Sequence, residues 1–254
     1  MNMDLKDKAY IITGASSGMG KATARLFAEN GAKLILSGRD QTKGINLMEE
    51  LRHHNPSIFF FAGDVGEIET NRKLIRMAEE HFGRLDGLVT NAGMLGLGSV
   101  TDIDLTVWHR TMEVNLYSVF YLCRFAIPLM QQSGGGSIVV TSSIAAVKSF
   151  PNHAAYNTSK AALVALAKQI ALDYGPSIRA NAICPGPVDT PLIWDSAKAF
   201  PDPSTAVEKA AYQTILKRLG QPEDIANLIL FLASDKSSWM TGSVINIDGG
   251  VTIS

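Results

Sequence analysis

Tyr156, Asn157, Thr158, Ser159 and Lys160 open an apolar stretch with helical spacing, so Tyr156 and Lys160, four residues apart, share one helix face. A phenol with an ordinary pKa of about 10 is a poor acid–base group at neutral pH until a nearby ammonium stabilises its phenolate. Lys160 stands where it would do so. Taken alone, the spacing equally describes a core aromatic beside a solvated lysine. It becomes informative beside Ser142 and Ser143, which end a predicted strand with Ser143 thirteen residues before Tyr156, and beside Asn115 inside the preceding predicted helix. The chemistry such a set supports is proton transfer to or from a substrate oxygen.

A second group lies near the start of the chain. Thr13 to Gly20 reads TGASSGMG, directly after a strand-like run, with Gly14, Gly18 and Gly20 around Ser16, Ser17 and Met19 and a helix following. Small residues let the backbone approach a pyrophosphate while the helix N-terminus supplies unpaired N–H donors and the positive dipole end. Turns need glycine for their own reasons, so it is the position between strand one and helix one that points to a dinucleotide. After the second predicted strand, where an acidic residue would hold a ribose 2′-hydroxyl, the chain reads Ser37-Gly38-Arg39. A guanidinium suits a 2′-phosphate, so Arg39 points to NADP(H) over NAD(H). The competing readings are a solvated arginine and Asp40 as the ribose residue. Asp64-Val65 and Asn91-Ala92-Gly93 follow strands three and four, at the strand ends where an open α/β sheet binds ligands, and suggest an adenine-side contact.

The elements that must position these groups are legible as alternation. Short apolar or β-branched runs fall at residues 9–13, 33–37, 58–62, 87–90, 137–141, 178–184 and 244–247, and read as strands buried on both faces. Helical spacing fills 18–30, 41–54, 67–82, 105–132 and 154–174. Strand and helix in turn predict an α/β fold with a doubly wound parallel sheet. Asn30-Gly31 and Gly83 close helices, and Pro222-Glu223-Asp224 opens the last. Residues 161–171 and much of 114–130 are apolar around most of the helix, which predicts packing on the sheet and on a partner subunit.

In this order the residues resemble the short-chain dehydrogenase/reductase family: TGASSGMG, Asp64, Asn91-Ala92-Gly93, Asn115, Ser143, YNTSK at 156–160, PGPVDT at 185–190 and TGSVINIDGG at 241–250. The match spans nearly the whole chain. The resemblance implies a single Rossmann-type domain over residues 1–254 with a seven-stranded parallel sheet, assembled as a homotetramer or homodimer. It implies Tyr156 as general acid and base, Lys160 lowering its pKa and binding the nicotinamide ribose, Ser143 orienting the substrate oxygen and Asn115 holding a proton-relay water. Ser143 is chosen over Ser142 by its spacing to Tyr156. Pro185, Gly186, Val188 and Thr190 would close over the nicotinamide, and residues 191–217, with Trp194, Phe200, Pro201 and Pro203, would form a mobile substrate lid. Met94, Ala145, His153 and Trp194 would shape the substrate pocket.

Composition narrows the functions. The 254 residues carry 23 Lys+Arg against 24 Asp+Glu, a net charge of -1 that gives no overall pull toward nucleic acid or anionic lipid. Cys123 and Cys184 fit buried thiols in a reducing cytosol, and the five histidines form no ligand-spaced cluster, so no metal is expected. The opening residues lack the pattern of a signal peptide and no apolar run approaches a membrane span, which together predict a cytoplasmic protein without a membrane partner. The expected activity is NADP(H)-dependent hydride transfer between nicotinamide and a small ketone, sugar or polyol, or cyclic alcohol. A 3-oxoacyl-[acyl-carrier-protein] reductase is the alternative, although residues 130–136 and 173–176 carry no Lys or Arg to meet an acidic carrier. A non-catalytic NADP-binding regulator would be expected to have lost part of the Asn115, Ser143, Tyr156, Lys160 set, and epimerase or dehydratase chemistry usually brings a longer substrate region.

Overall fold

Continuous apolar runs with no polar alternation are what a sheet covered on both faces requires. The computed structural model describes residue 3, residues 5–200 and residues 202–254. Its strands are β1 (Ala9–Thr13), β2 (Lys33–Gly38), β3 (Ile58–Ala62), β4 (Gly87–Thr90), β5 (Gly136–Thr141), β6 (Ile178–Pro185) and β7 (Val244–Ile247). They form one seven-stranded parallel sheet in the order β3-β2-β1-β4-β5-β6-β7. The chain starts at β1, winds outward to β3, and returns to β4 on the other side of β1. The order therefore reverses between β1 and β4, and the crevice beyond their carboxyl ends is where such sheets bind ligands.

Helices α1 (Gly18–Glu29), α2 (Gln41–Arg52), α3 (Ile68–Phe82), α4 (Leu105–Met112), α5 (Ser118–Gln132), α6 (Ala154–Tyr174), α7 (Pro191–Ala197), α8 (Pro203–Gln213) and α9 (Pro222–Ala233) complete the fold. Successive side chains of a strand point to opposite faces, and β1 shows the result. Ile11 enters a core built with α3, α5 and α6, whereas Tyr10 and Ile12 enter the other, built with α1, α2 and α9. Punctuation behaves as its chemistry dictates. Gly83 caps α3 in the left-handed conformation at φ 65, and α9 opens on Pro222 with Gln221 and Asp224 in a reciprocal capping box.

Two expectations need correction. The outer strands β3 and β7 are only partly buried, because among the described residues no strand pairs beyond them to cover their outer edge. On β3 the ring of Phe59 is instead covered by a stacked His81, with ring centroids 3.8 Å apart. The helical stretch 105–132 is not one helix: α4 and α5 are separated by a π-helical turn at Glu113–Tyr117, where Ser118 N–H bonds to the Glu113 carbonyl five residues back. The extra residue rotates Asn115 inward, and it is fully buried. Residues 191–217 carry two helices, α7 and α8; Pro201 of the expected lid lies outside the described residues. Among the described residues no helix is long and apolar enough to cross a membrane.

Candidate active site

The glycine loop leaves no room for side chains. A Cβ on Gly20 would lie 2.2 Å from the Gly14 carbonyl oxygen, and one on Gly18 would lie 2.9 Å from Thr190 Cγ2. The loop is thus pressed against the arm that follows β6. Thr13 Oγ1 accepts from the backbone N–H groups of Asn91 (3.1 Å) and Ala92 (3.2 Å), tying the end of β4 to the end of β1. Sequence reasoning missed Thr13, since nothing in its own segment signals a bond across 78 residues. Ser17 caps α1 without a side-chain bond, so the first-turn amides are left for another acceptor.

These segments line one cleft of about 260 Å³. It brings together Gly14, Ser16, Ser17, Gly18, Met19, Arg39, Asp64, Val65, Asn91, Ala92, Gly93, Tyr156, Lys160 and Thr190, as the sequence reading grouped them. Gly20 lies just behind the cradle. Buried hydroxyl or amide oxygens without a partner gather at the same strand ends: Ser37 Oγ, Thr90 Oγ1, Asn91 Oδ1 and Thr141 Oγ1. A side-chain-free cradle and a helix N-terminus fit a phosphate, and the orphaned buried hydroxyls and amide oxygen fit the polar remainder of a dinucleotide.

Beyond β2, Arg39 is exposed at the cleft wall and makes no hydrogen bond or ion pair among the described residues. Asp40 is committed elsewhere. Its side chain caps α2 by accepting from Lys43 N–H at 2.9 Å and meets Lys43 Nζ at 3.3 Å, contacts that hold its carboxyl below the usual range. The acid that could be read as a ribose ligand is therefore a helix cap.

Tyr156 and Lys160 lie in the first two turns of α6, at 9% and 3% exposure. Lys160 Nζ is 5.6 Å from the Tyr156 ring centroid and donates to the Thr141 carbonyl at 2.9 Å. Burial pushes the Tyr156 phenol up, with a hydrogen bond from the Ser143 side chain pulling it down, and burial lowers Lys160 to about 8. The two serines separate cleanly. Ser142 Oγ donates to the Lys160 carbonyl at 2.7 Å, while Ser143 faces the phenol and accepts from Ala145 N–H at 3.1 Å.

Asn115 is held by the protein through both polar atoms of its side chain. Its Oδ1 accepts from Met94 N–H (2.8 Å), and its Nδ2 donates to the Met94 carbonyl (2.9 Å) and to Ser159 Oγ (3.0 Å). The π-turn thereby braces the helix that carries Tyr156. Asn115 does not line the cleft.

Other expected residues stand apart from the cleft. Gly186 and Val188 line a neighbouring cavity with Arg218 and Asp224, and Pro185 ends β6 in the core. Trp194 is 52% exposed, its indole N–H bound to Asp189 Oδ1 at 3.1 Å. Ala145 is buried behind Ser143. His153 is buried between Phe150 and Tyr156, with Nδ1 2.5 Å from the Pro151 carbonyl and Nε2 3.1 Å from Ser196 Oγ on α7. Pro191, Leu192 and Asp195, which sequence reasoning missed, are the α7 residues that reach the cleft; an α-helix admits only one face, and composition does not reveal which. Among the described residues no group of three or more His, Cys, Asp or Glu gathers to hold a metal, and both cysteines are free and buried.

The shifted lysine has a measurable consequence. In the unfolded chain Lys160 has an ordinary pKa near 10.5 and in the fold about 8, so between those values the unfolded state binds more protons. Its contribution to stability is complete above about pH 10.5 and is lost as the pH falls through 8, a swing of about 3 kcal/mol. Lys160→Met should flatten the rise in unfolding free energy from pH 7.5 to 10 seen by urea titration in the parent; an unchanged rise refutes this.

A family model described as Enoyl-(Acyl carrier protein) reductase matches residues 14–252. The trans-4-hydroxycyclohexanecarboxylate dehydrogenase of Sinomonas cyclohexanicum is 38% identical over 97% of this chain and 93% of its own length. The 3-oxoacyl-[acyl-carrier-protein] reductase of Thermotoga maritima is 35% identical over 99% of this chain and 100% of its own. Among solved structures, the aldohexose dehydrogenase of Thermoplasma acidophilum superposes with a TM-score of 0.89 at 34% identity, covering 100% of this chain and 97% of that one. With its parallel seven-stranded sheet and its match along nearly the full length, the chain belongs to the short-chain dehydrogenase/reductase family and is an oxidoreductase of CH–OH groups.

Proposed function

We propose that the cleft takes NADP(H) and that the protein interconverts a carbonyl and a secondary alcohol on a small ketone, sugar or polyol, or cyclic alcohol. The observation that carries this reading is that Tyr156 and Lys160 share one wall with the glycine cradle, with Ser143, set just behind that wall, hydrogen-bonded to the Tyr156 phenol. The nicotinamide supplies or accepts the hydride. Tyr156 Oη moves the proton at the substrate oxygen, Ser143 Oγ orients that oxygen, and Lys160 Nζ holds the ribose beside the phenol. Asn115 keeps α6 in place through Ser159, and Asp64 and Val65 take the adenine. Arg39, free at the cleft wall while Asp40 caps α2, favours the 2′-phosphate.

Titration with NADPH and NADH, then an absorbance screen against ketones, sugars, cyclic alcohols and acetoacetyl thioesters, tests the reading. Failure to bind either nucleotide overturns it. Arg39→Ala should weaken NADPH by about tenfold to a hundredfold and NADH far less, since only the former loses a charge-assisted phosphate contact; equal losses make the arginine a bystander. Turnover restricted to the acyl thioester would favour the carrier-protein reading, which the relative from Thermotoga maritima supports.

The assembly we propose is a cytoplasmic homotetramer or homodimer. Phe120 on α5 and Leu105 on α4 are exposed, as is Leu172 on α6 at 78%, and they continue the apolar helices noted in the sequence. Sedimentation should give a dimer or tetramer, and a monomer at micromolar concentration refutes it.

A further inference from the structure

The far end of the cleft holds an arrangement that the reaction itself does not call for. Asp64, at the cleft wall after β3, accepts from Gly66 N–H through Oδ1 at 2.9 Å and is held through Oδ2 by Arg110 Nη2. Arg110 projects from α4, 46 residues further on. Its other guanidinium nitrogen, Nη1, reaches Glu113 Oε2 at 3.2 Å, and Glu113 is the first residue of the π-turn that carries Asn115. Position 66 is kept open for this contact: a Cβ on Gly66 would lie 2.5 Å from Arg110 Nη1. Arg110 itself does not line the cleft.

A carboxylate on a loop rotates about its terminal bond and accepts from whatever approaches. One oxygen pinned by a guanidinium and the other by a backbone amide cannot. We infer that Arg110 is a positioning residue for base recognition: it locks the Asp64 carboxylate so that the remaining lone pair of Oδ1 accepts a hydrogen bond from an exocyclic amino group of the bound purine. This rests on the reading of the cleft as a dinucleotide site. The same guanidinium joins the adenine end to the π-turn, so base recognition and the brace on α6 share one side chain. An ion pair that served only the fold would be worth little at this exposure and would not distinguish one purine from another.

The test compares NADPH with its hypoxanthine analogue, in which oxygen replaces the 6-amino group and the donor is lost. The parent protein should bind NADPH about tenfold more tightly than the analogue. Arg110→Ala should reduce that ratio to within about threefold, and in the background of Asp64→Asn it should change the ratio no further, as expected for residues acting as one unit. Gly66→Ala provides a second route, because its Cβ displaces the guanidinium and crowds Asp64 Oδ1 at 3.2 Å, unlocking the carboxylate while both charged groups remain. Nicotinamide mononucleotide, which has no base to read, should bind the parent and Arg110→Ala alike. A parent that binds no nucleotide overturns the reading of the cleft. A parent that discriminates, with Arg110→Ala and Gly66→Ala discriminating equally well, overturns the role of Arg110 and leaves that reading standing.

Discussion

Tyr156→Phe should lower kcat by about a thousandfold or more while nucleotide affinity changes by no more than about threefold. Removing a positioned general acid–base group costs about two to four orders of magnitude. The substitution deletes one oxygen and no ring. The aromatic remains against His153, with ring centroids 6.2 Å apart in an edge-to-face arrangement. Ser143 Oγ keeps its bond from Ala145 N–H, and Lys160 Nζ keeps the Thr141 carbonyl, so neither neighbour is left without a partner. Stability should therefore change little. Steady-state rates and a fluorescence titration with NADPH separate the two effects. Preserved turnover would sink the assigned proton path, and a parallel loss of affinity would make the residue a binding group first.

Gly20→Ala should act at the opposite step. Its Cβ would sit 2.2 Å from Gly14 O and 2.6 Å from Asn91 Nδ2. The first is backbone in the cradle and the second joins the cradle to β4, so neither yields without moving the proposed phosphate site. Overpacking of this kind costs about 1–3 kcal/mol in stability. Displaced cradle amides should weaken the nucleotide about a hundredfold, because several phosphate contacts fail together. Thermal unfolding with and without NADPH reads both: the variant should melt lower and gain little from the ligand. A variant that the ligand stabilises as much as the parent would show that the loop tolerates the extra carbon and that the cradle lies elsewhere.

Burial explains what the residues around Tyr156 disclose in advance and what they conceal. The spacing of Tyr156 and Lys160 predicts a shared helix face, and α6 supplies it. The same spacing suggests a phenol held low by a neighbouring ammonium. The structure sets two desolvated groups side by side instead, the phenol pushed up, the ammonium pushed down and aimed at a carbonyl. Local sequence records proximity along a helix and says nothing of the dielectric around it. Trp194 illustrates the same limit: an aromatic in a predicted lid suggests a pocket wall, yet α7 turns it outward onto Asp189 and turns Leu192 and Asp195 in.

By itself the sequence determined the strand and helix alternation, the parallel sheet, the glycine cradle and the pairing of Tyr156 with Lys160, since each is written within one element or at one boundary. Hydrophobic period, capping residues and glycine positions act over a few neighbouring residues, and those interactions survive in any segment long enough to show them. Tertiary structure alone decided the π-turn at Glu113–Tyr117, the exposure of β3 and β7, the bond from Thr13 to Asn91 and Ala92, and the clasp of Arg110 on Asp64. These couple residues far apart in the chain, and the π-turn in particular shifts the helical period by one residue to satisfy Asn115 against Met94 and Ser159. The deciding energy is the hydrogen bonding of buried polar groups across the fold, which no local pattern of residue types encodes.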